Sequence, residues 1–207
     1  MRVIAGMYRS RLLASPAGTS TRPTSDRLRE TLFNILAARR GNGLAGVKFA
    51  DLYAGTGAVG IEAISRGAAH CWFAEMAEPA LAALRKNLTT LKVAAGAYTV
   101  DERGAGALLA GLAGQGAGLD VIFLDPPYEA EGEYAGTLGL LGSASGRRML
   151  AAGGIVVAEY ASKSKFVLAE RYGGLARTRT YRQGETSLGF YEVVADVSED
   201  GGNGLPV

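Results

Sequence analysis

Asp125-Pro126-Pro127-Tyr128 follows the most apolar run of the chain. Two consecutive prolines fix φ and remove two backbone donors, while their carbonyls stay free to accept. Such a stiff strand end sets a carboxylate, a carbonyl and an aromatic ring side by side. An exocyclic amine on a nucleic-acid base needs this set, because its lone pair is delocalised into the ring and it is a poor nucleophile. The Asp125 carboxylate and the Pro126 carbonyl would take both amine hydrogens. That aims the nitrogen and favours the charge that develops on it. Pro127 stiffens the turn, and Tyr128 would stack on the base. The competing reading is a stiff turn with a surface tyrosine.

A second constellation is Asp51-Leu-Tyr53-Ala-Gly55-Thr56-Gly57-Ala-Val-Gly60. The three glycines match G-x-G-x-x-G between a strand and a helix, a frame in which the backbone approaches a ligand closely. A dinucleotide and S-adenosylmethionine both use such loops. A pyrophosphate prefers a helix N-terminus without a carboxylate nearby. Asp51 ends the strand four residues before Gly55, which suits an ammonium or sulfonium group better. Glu75 stands 20 residues after Gly55 and could accept from ribose hydroxyls, which both ligands carry. Tyr53 and Thr56 in the loop and Met76 beside Glu75 complete the candidate cofactor contacts.

These residues need strands to end behind them. The pattern predicts an N-terminal strand or hairpin (2–14), a loop (15–25) and a helix capped by Ser25 or Asp26. That helix shows Leu28, Thr31, Leu32, Ile35 and Leu36 at spacings of three and four, and Gly41 and Gly43 end it. Strands are expected at 47–53, 70–75, 97–100, 119–125, 155–160, 172–182 and 188–195. Helices are expected at 57–67, 78–91 (Pro79 in its first turn), 104–114 and 133–144. This is an α/β chain with a mostly parallel seven-stranded sheet, an antiparallel last strand and helices on both faces. Ligands sit beyond the carboxyl ends of such strands, where Asp51, Glu75 and Asp125 fall. The expected organisation is an N-terminal extension (1–40), a main domain (41–197) and a flexible tail (198–207).

Glycine is 30 of 207 residues, about twice the usual ~7 %, but it has no collagen period. One cysteine excludes a disulfide framework, and Cys71 with His70 does not suggest a structural metal site. Cys71 reads as a buried small side chain. No secretory leader and no run of 18 apolar residues is visible. A cytoplasmic, metal-free monomer is expected. The net charge of +2 hides an asymmetry. Residues 1–40 carry eight Lys/Arg against two Asp/Glu, and residues 161–182 carry six against Glu170 alone, whereas residues 41–160 carry eight against twelve. Basic flanks around an acidic middle suit a polyanionic partner. The N-terminal cations are all arginine, which favours forked phosphate contacts. Arg9, Arg11, Arg22, Arg27 and Arg29 are candidates, although Arg27 or Arg29 could instead pair with Asp26 or Glu30. Arg177, Arg179 and Arg182 form a second basic group, either for phosphates or as an edge-strand guard.

The chain resembles the RsmD family of 16S ribosomal RNA (guanine-N2) methyltransferases. The resemblance rests on Gly6 with Tyr8-Arg9-Ser-Arg11, on Arg22-Pro23-Thr24-Ser-Asp26-Arg27-Leu-Arg29-Glu30-Thr31-Leu32-Phe33-Asn34, and on Asp51 through Ala68. It continues through Glu75, Asn87 and Asp125-Pro-Pro-Tyr128, and it covers nearly everything to about residue 195. The arginine-rich block is its specific part. Tyr128 stands where Phe is frequent, Ser10 where Gly is, and Ala77 where an acid is. The resemblance implies a Rossmann-like class I methyltransferase fold with S-adenosyl-L-methionine as cofactor. It implies methyl transfer to one guanine N2 of 16S rRNA, within an assembled or assembling small ribosomal subunit, with the N-terminal block holding RNA. Asp101 is the candidate acid on the adenine side. Other readings are an adenine-N6 DNA or RNA methyltransferase, a protein-glutamine methyltransferase, and a non-enzymatic ribosome-assembly protein that binds RNA. The arginine block counts against the other methyltransferases, and the intact Asp51, Glu75 and Asp125 count against the last.

Overall fold

The computed structural model describes residues 1–16, 25–127, 130–162 and 167–194. Its elements alternate: α1 (Asp26–Arg40), β1 (Lys48–Asp51), α2 (Ala58–Ser65), β2 (His70–Ala74), α3 (Glu78–Thr90), β3 (Tyr98–Asp101), α4 (Ala105–Gln115) and β4 (Leu119–Leu124). There follow α5 (Glu131–Gly142), α6 (Ala144–Arg147), β5 (Leu150–Ala161), β6 (Arg171–Tyr172), β7 (Leu175–Gln183) and β8 (Thr186–Val193). The strands form one sheet in the order β3-β2-β1-β4-β5-β8-β7-β6. The first five strands run parallel. β8 inserts antiparallel between β5 and β7. The chain winds one way from β1 to β3 and the other way from β4 onward, so the switch point lies between β1 and β4.

The strands are apolar for a reason visible in their burial. Phe49, Phe73, Val121, Phe123, Ile155 and Val157 face one layer with α1, α2 and α3. Ala50, Ala74, Ile122, Leu124 and Val156 face the other with α4 and α5. Strands covered on both faces read as continuous hydrophobic runs. Ser25 is the α1 N-cap, its Oγ accepting from the Leu28 N–H at 3.2 Å, and Gly41 closes that helix in the left-handed conformation. α4 forms despite its glycines because Leu108, Leu109 and Leu112 bury one face.

Two expectations need correction. The sheet has eight strands among the described residues, because Arg171–Tyr172 does not continue into the next strand. Gly173, at φ +56°, turns the chain back and makes a short antiparallel pair with β7. β5 starts at Leu150, five residues before the expected 155.

The first residues form an arm with a single antiparallel bridge, Arg2 to Leu12. Val3 and Leu13 join the core beside α1. The arm lies on α2. Gly6 takes φ +82°, and a Cβ there would sit 1.7 Å from the Ser65 carbonyl oxygen, so only glycine fits this crossing.

Candidate active site

β1, β2, β4 and β5 bring four acids to one end of the sheet. Asp51 is the last residue of β1, level with Phe73 and Phe123. Glu75 and Asp125 follow directly on β2 and β4. Glu159 follows Ala158, the register partner of Leu124, so it lies beside Asp125. Asp51 is 1 % exposed. Its Oδ2 accepts the Gly60 N–H at 3.0 Å, and its Oδ1 has no hydrogen-bond partner. Burial first, then the Glu75 and Glu159 carboxylates, raise its pKa to about 7 against the single Gly60 bond.

The glycine loop is held by these acids. Gly55 N–H donates to Glu75 Oε2 at 2.7 Å, and Glu75 Oε1 accepts from Met76 and Ala77 N–H at 2.9 and 2.8 Å. Gly57, at φ +79°, precedes the first turn of α2 and donates its N–H to the Ala54 carbonyl at 2.7 Å. The Gly55, Gly57 and Gly60 amides are therefore already bound. A pyrophosphate would need such amides and would meet two carboxylates. A ligand with a cationic centre and hydroxyl donors fits instead. The orphaned Asp51 Oδ1 is a buried acceptor whose missing partner costs on the order of 1–3 kcal/mol. A cation or N–H donor would relieve it.

Other expected cofactor contacts have clear places. The Tyr53 hydroxyl donates to Glu133 Oε2 at 2.9 Å and lies 2.9 Å from Thr137 Oγ1, tying the loop to α5. Burial, with Glu133 adding, pushes its pKa up to about 12. Thr56 is half-buried, and its carbonyl accepts from Asn87 Nδ2 at 2.9 Å. Met76 is exposed at the rim. Asp101 ends β3 and is gripped by Arg103 through Nε (3.0 Å) and Nη2 (2.7 Å), which holds its carboxyl below the usual range.

Asp125 is partly exposed, with Pro126 buried and Pro127 exposed. Desolvation, with Glu159 and Asp51 adding, pushes its carboxyl well above the usual carboxylate range. The Pro127 carbonyl accepts from Ala130 N–H at 2.8 Å and closes the turn. Among the described residues the Pro126 carbonyl accepts no hydrogen bond. Tyr128 lies outside the described residues, as does Arg22.

The arginines divide. Arg9, Arg11 and Arg27 are exposed and carry no ion pair among the described residues. Arg29 does not join them. It is fully buried, donates through Nη2 to the Arg2 carbonyl and to Asp26 Oδ1, and lies 3.9 Å from Glu62. The expected phosphate contact at Arg29 is therefore wrong, and the alternative that Arg29 pairs with Asp26 holds, at 2.9 Å. Position 29 falls on the same inward stripe as Leu28, Leu32 and Phe33, and its charge meets a buried acid. Cys71 is buried as expected, and His70 bonds to the Gly96 carbonyl and Thr99.

Glu159 escaped the sequence reading, and Asn87 entered it only through the family resemblance, with no role attached. Glu159 is buried beside Asp125, and its signal is a lone acid within an apolar strand. Asn87 is 2 % exposed and bridges two segments far apart in sequence. Its Oδ1 accepts the Ala14 N–H at 2.7 Å, and its Nδ2 donates to the Ala14 and Thr56 carbonyls at 3.2 and 2.9 Å. A lone helical asparagine gives no such hint. Among the described residues no group of acids, histidines or cysteine could hold a metal ion, and no helix is long and apolar enough to cross a membrane.

The family model described as Conserved hypothetical protein 95 matches residues 1–192. A Bacillus subtilis protein named putative rRNA methyltransferase YlbH is 38 % identical over 192 residues, covering 93 % of this chain and 98 % of the relative. The Escherichia coli ribosomal RNA small subunit methyltransferase D is 40 % identical over 128 residues, 62 % of this chain and 60 % of that protein. A solved structure titled putative methyltransferase yhhF, also from Escherichia coli, superposes with a TM-score of 0.72 at 32 % identity. It covers 93 % of this chain and 97 % of that one.

Proposed function

The chain belongs to the RsmD family of methyltransferases, the Conserved hypothetical protein 95 family, and on that footing we propose that it methylates the N2 amine of a guanine in 16S rRNA. It is an S-adenosylmethionine-dependent rRNA methyltransferase of the Rossmann-like class I fold. The observation that carries the reading is the pairing of two sites across the β1/β4 switch point. One is an acid-lined glycine loop with an unsatisfied buried carboxylate oxygen. The other is Asp125-Pro126-Pro127, with a carboxylate and a free carbonyl.

S-adenosylmethionine supplies an electrophilic methyl group. Asp51 and the loop from Gly55 to Gly60 would hold its cationic end, and Glu75 its hydroxyls, through lone pairs left after the backbone bonds. Met76 and Asp101 lie at the rim beyond Glu75. The Asp125 carboxylate and Pro126 carbonyl accept the two guanine N2 hydrogens and fix the nitrogen in line. The methyl–sulfur bond breaks as the methyl–nitrogen bond forms, and the excess proton on N2 leaves to Asp125 or to water. Tyr128 stacks on the guanine, which must leave its stack at a cost of a few kcal/mol. Arg9, Arg11, Arg22 and Arg27 contact flanking phosphates and set register rather than sequence. The substrate form proposed is the assembled or assembling small subunit, and the acting form is a monomer.

Asp125→Asn tests the assignment. Methyl transfer to small subunits lacking the modification should fall about 100- to 1000-fold, the usual cost of removing one such electrostatic group. Cofactor affinity by calorimetry should stay within a few-fold. Unchanged turnover would overturn the role. Mapping the methyl group in the product to adenine N6 or to a protein amide would overturn guanine N2.

A further inference from the structure

β7 carries a second basic group that the methyl-transfer site does not use. β6 pairs with Leu175 and Ala176 of β7, and the Glu170 carbonyl takes the Arg177 N–H at 2.8 Å, so residues 178–183 form the outer edge of the sheet among the described residues. Along this edge Arg179 and Tyr181 face the same layer as α1. The Arg179 guanidinium lies 6.0 Å from the Phe190 ring, and Tyr181 packs partly buried against the core of that layer. Alternation puts Gln183 on the same face. Its Oε1 is buried without a hydrogen-bond partner. Arg177 leaves the stripe, because a register shift separates it from Arg179 and it donates to the Leu168 carbonyl at 3.0 Å.

The stripe stands level with the reacting end of the sheet. Glu159, beside Asp125, pairs with Leu188, and Leu188 pairs with Tyr181. Three inter-strand steps separate Asp125 from Tyr181, roughly 14 Å at about 4.8 Å each. This is a reach of a few nucleotides. A guard against edge pairing needs only charge. It does not need an aromatic ring on the same face as the cation. Arginine for a phosphate and tyrosine for the face of an unstacked base are groups that bind single-stranded RNA.

We infer that Arg179 and Tyr181 bind single-stranded RNA flanking the target nucleotide, on the side of the site opposite the N-terminal arm. This rests on the rRNA substrate proposed above. The ring stacks on one base, and the guanidinium neutralises the adjoining phosphate.

The test uses full-length protein with protein-free small-subunit rRNA and with unmodified small subunits. Arg179→Gln should weaken binding of both about uniformly and lower the salt slope of log K by about one. Tyr181→Leu should weaken binding about 5- to 100-fold, and Tyr181→Phe should restore it. Both changes should appear in KM rather than kcat, with cofactor affinity unchanged. Arg179 is exposed, so its variant reports even if Tyr181→Leu folds poorly. Unchanged RNA affinity and salt slope in Arg179→Gln, with Tyr181→Leu folded and unimpaired, would reduce the stripe to an edge guard. Loss of binding to subunits but not to free rRNA would assign the stripe to a ribosomal protein and overturn RNA as its ligand. Wild-type protein that binds rRNA and unmodified subunits yet transfers no methyl group to either would overturn the proposed reaction, while the stripe would still be read from binding.

Discussion

Asp51, when ionised, carries a cost that a cationic ligand removes. Its carboxyl is raised from 3.8 to about 7 by burial and by neighbouring acids. A folded-state pKa above the unfolded one means the folded protein holds the extra proton between those values. The free protein's stability is therefore full below about pH 4 and falls as pH rises toward about 7, by a few kcal/mol at ~1.4 per unit. Above about 7 the loss is complete. Asp51→Asn keeps an acceptor for Gly60 and removes the charge. In thermal melts of free protein it should match wild type at pH 4 and exceed it at pH 8. Cofactor binding should run the opposite way. A cationic ligand prefers the ionised carboxylate, so wild-type affinity should improve by up to about tenfold per unit from pH 5 to 7 and then level off. In Asp51→Asn calorimetry should give a flat, weak profile.

The N-terminal arm is bonded to the same elements that hold the glycine loop. Ile4 and Ala5 N–H donate to Glu62 at 2.7 and 3.0 Å, Tyr8 N–H donates to Ser65 Oγ at 3.0 Å, and Asn87 joins Ala14 to Thr56. Glu62 also pairs with Arg66 at 2.7 Å. Asn87→Ala strands the Ala14 N–H and loosens the arm from the loop. It should lower stability by about 1–3 kcal/mol in denaturant melts and weaken both RNA and cofactor binding. Gly6→Ala should release the arm alone. RNA affinity should then fall about tenfold or more while cofactor affinity by calorimetry stays near wild type. The sequence showed the helices and the parallel strands well, because their apolar periods are set by burial on one or both sides. It could not show the arm's partners, because Glu62, Ser65 and Asn87 look like ordinary helix residues until the fold sets the arm on them.

Across the whole molecule, charge is sorted by depth rather than by segment. Arg9, Arg11 and Arg27 are at the surface, whereas Arg29 is buried against Glu62 and reaches out to the exposed Asp26. Arg39 and Arg40 are tied to Glu192 and Asp120 at 2.6 and 2.9 Å. Charge counting along the chain predicts a basic flank correctly but cannot tell a phosphate contact from a core ion pair. The acids at Asp51, Glu75 and Asp125 were legible because strand ends in a parallel sheet have a known direction. Arg29 was misread because one arginine on an apolar stripe looks like its solvated neighbours. Arg29→Ala should destabilise the protein by about 3–5 kcal/mol, as removal of one partner from a buried pair does. Arg27→Ala should leave the melting temperature unchanged and weaken RNA binding with a smaller salt slope.

The arm's bonds to Glu62 and Asn87 span 57, 58 and 73 residues of sequence. The arm therefore finds its partners only after α2 and α3 have been synthesised. Closing such long loops is slow, and contacts between neighbours form first. The arm is made before these helices and docks after them. Until the sheet that carries the glycine loop has formed, Arg9 and Arg11 have no fixed place. A half-made chain thus carries the arginines without the geometry to grip RNA while it is still being synthesised.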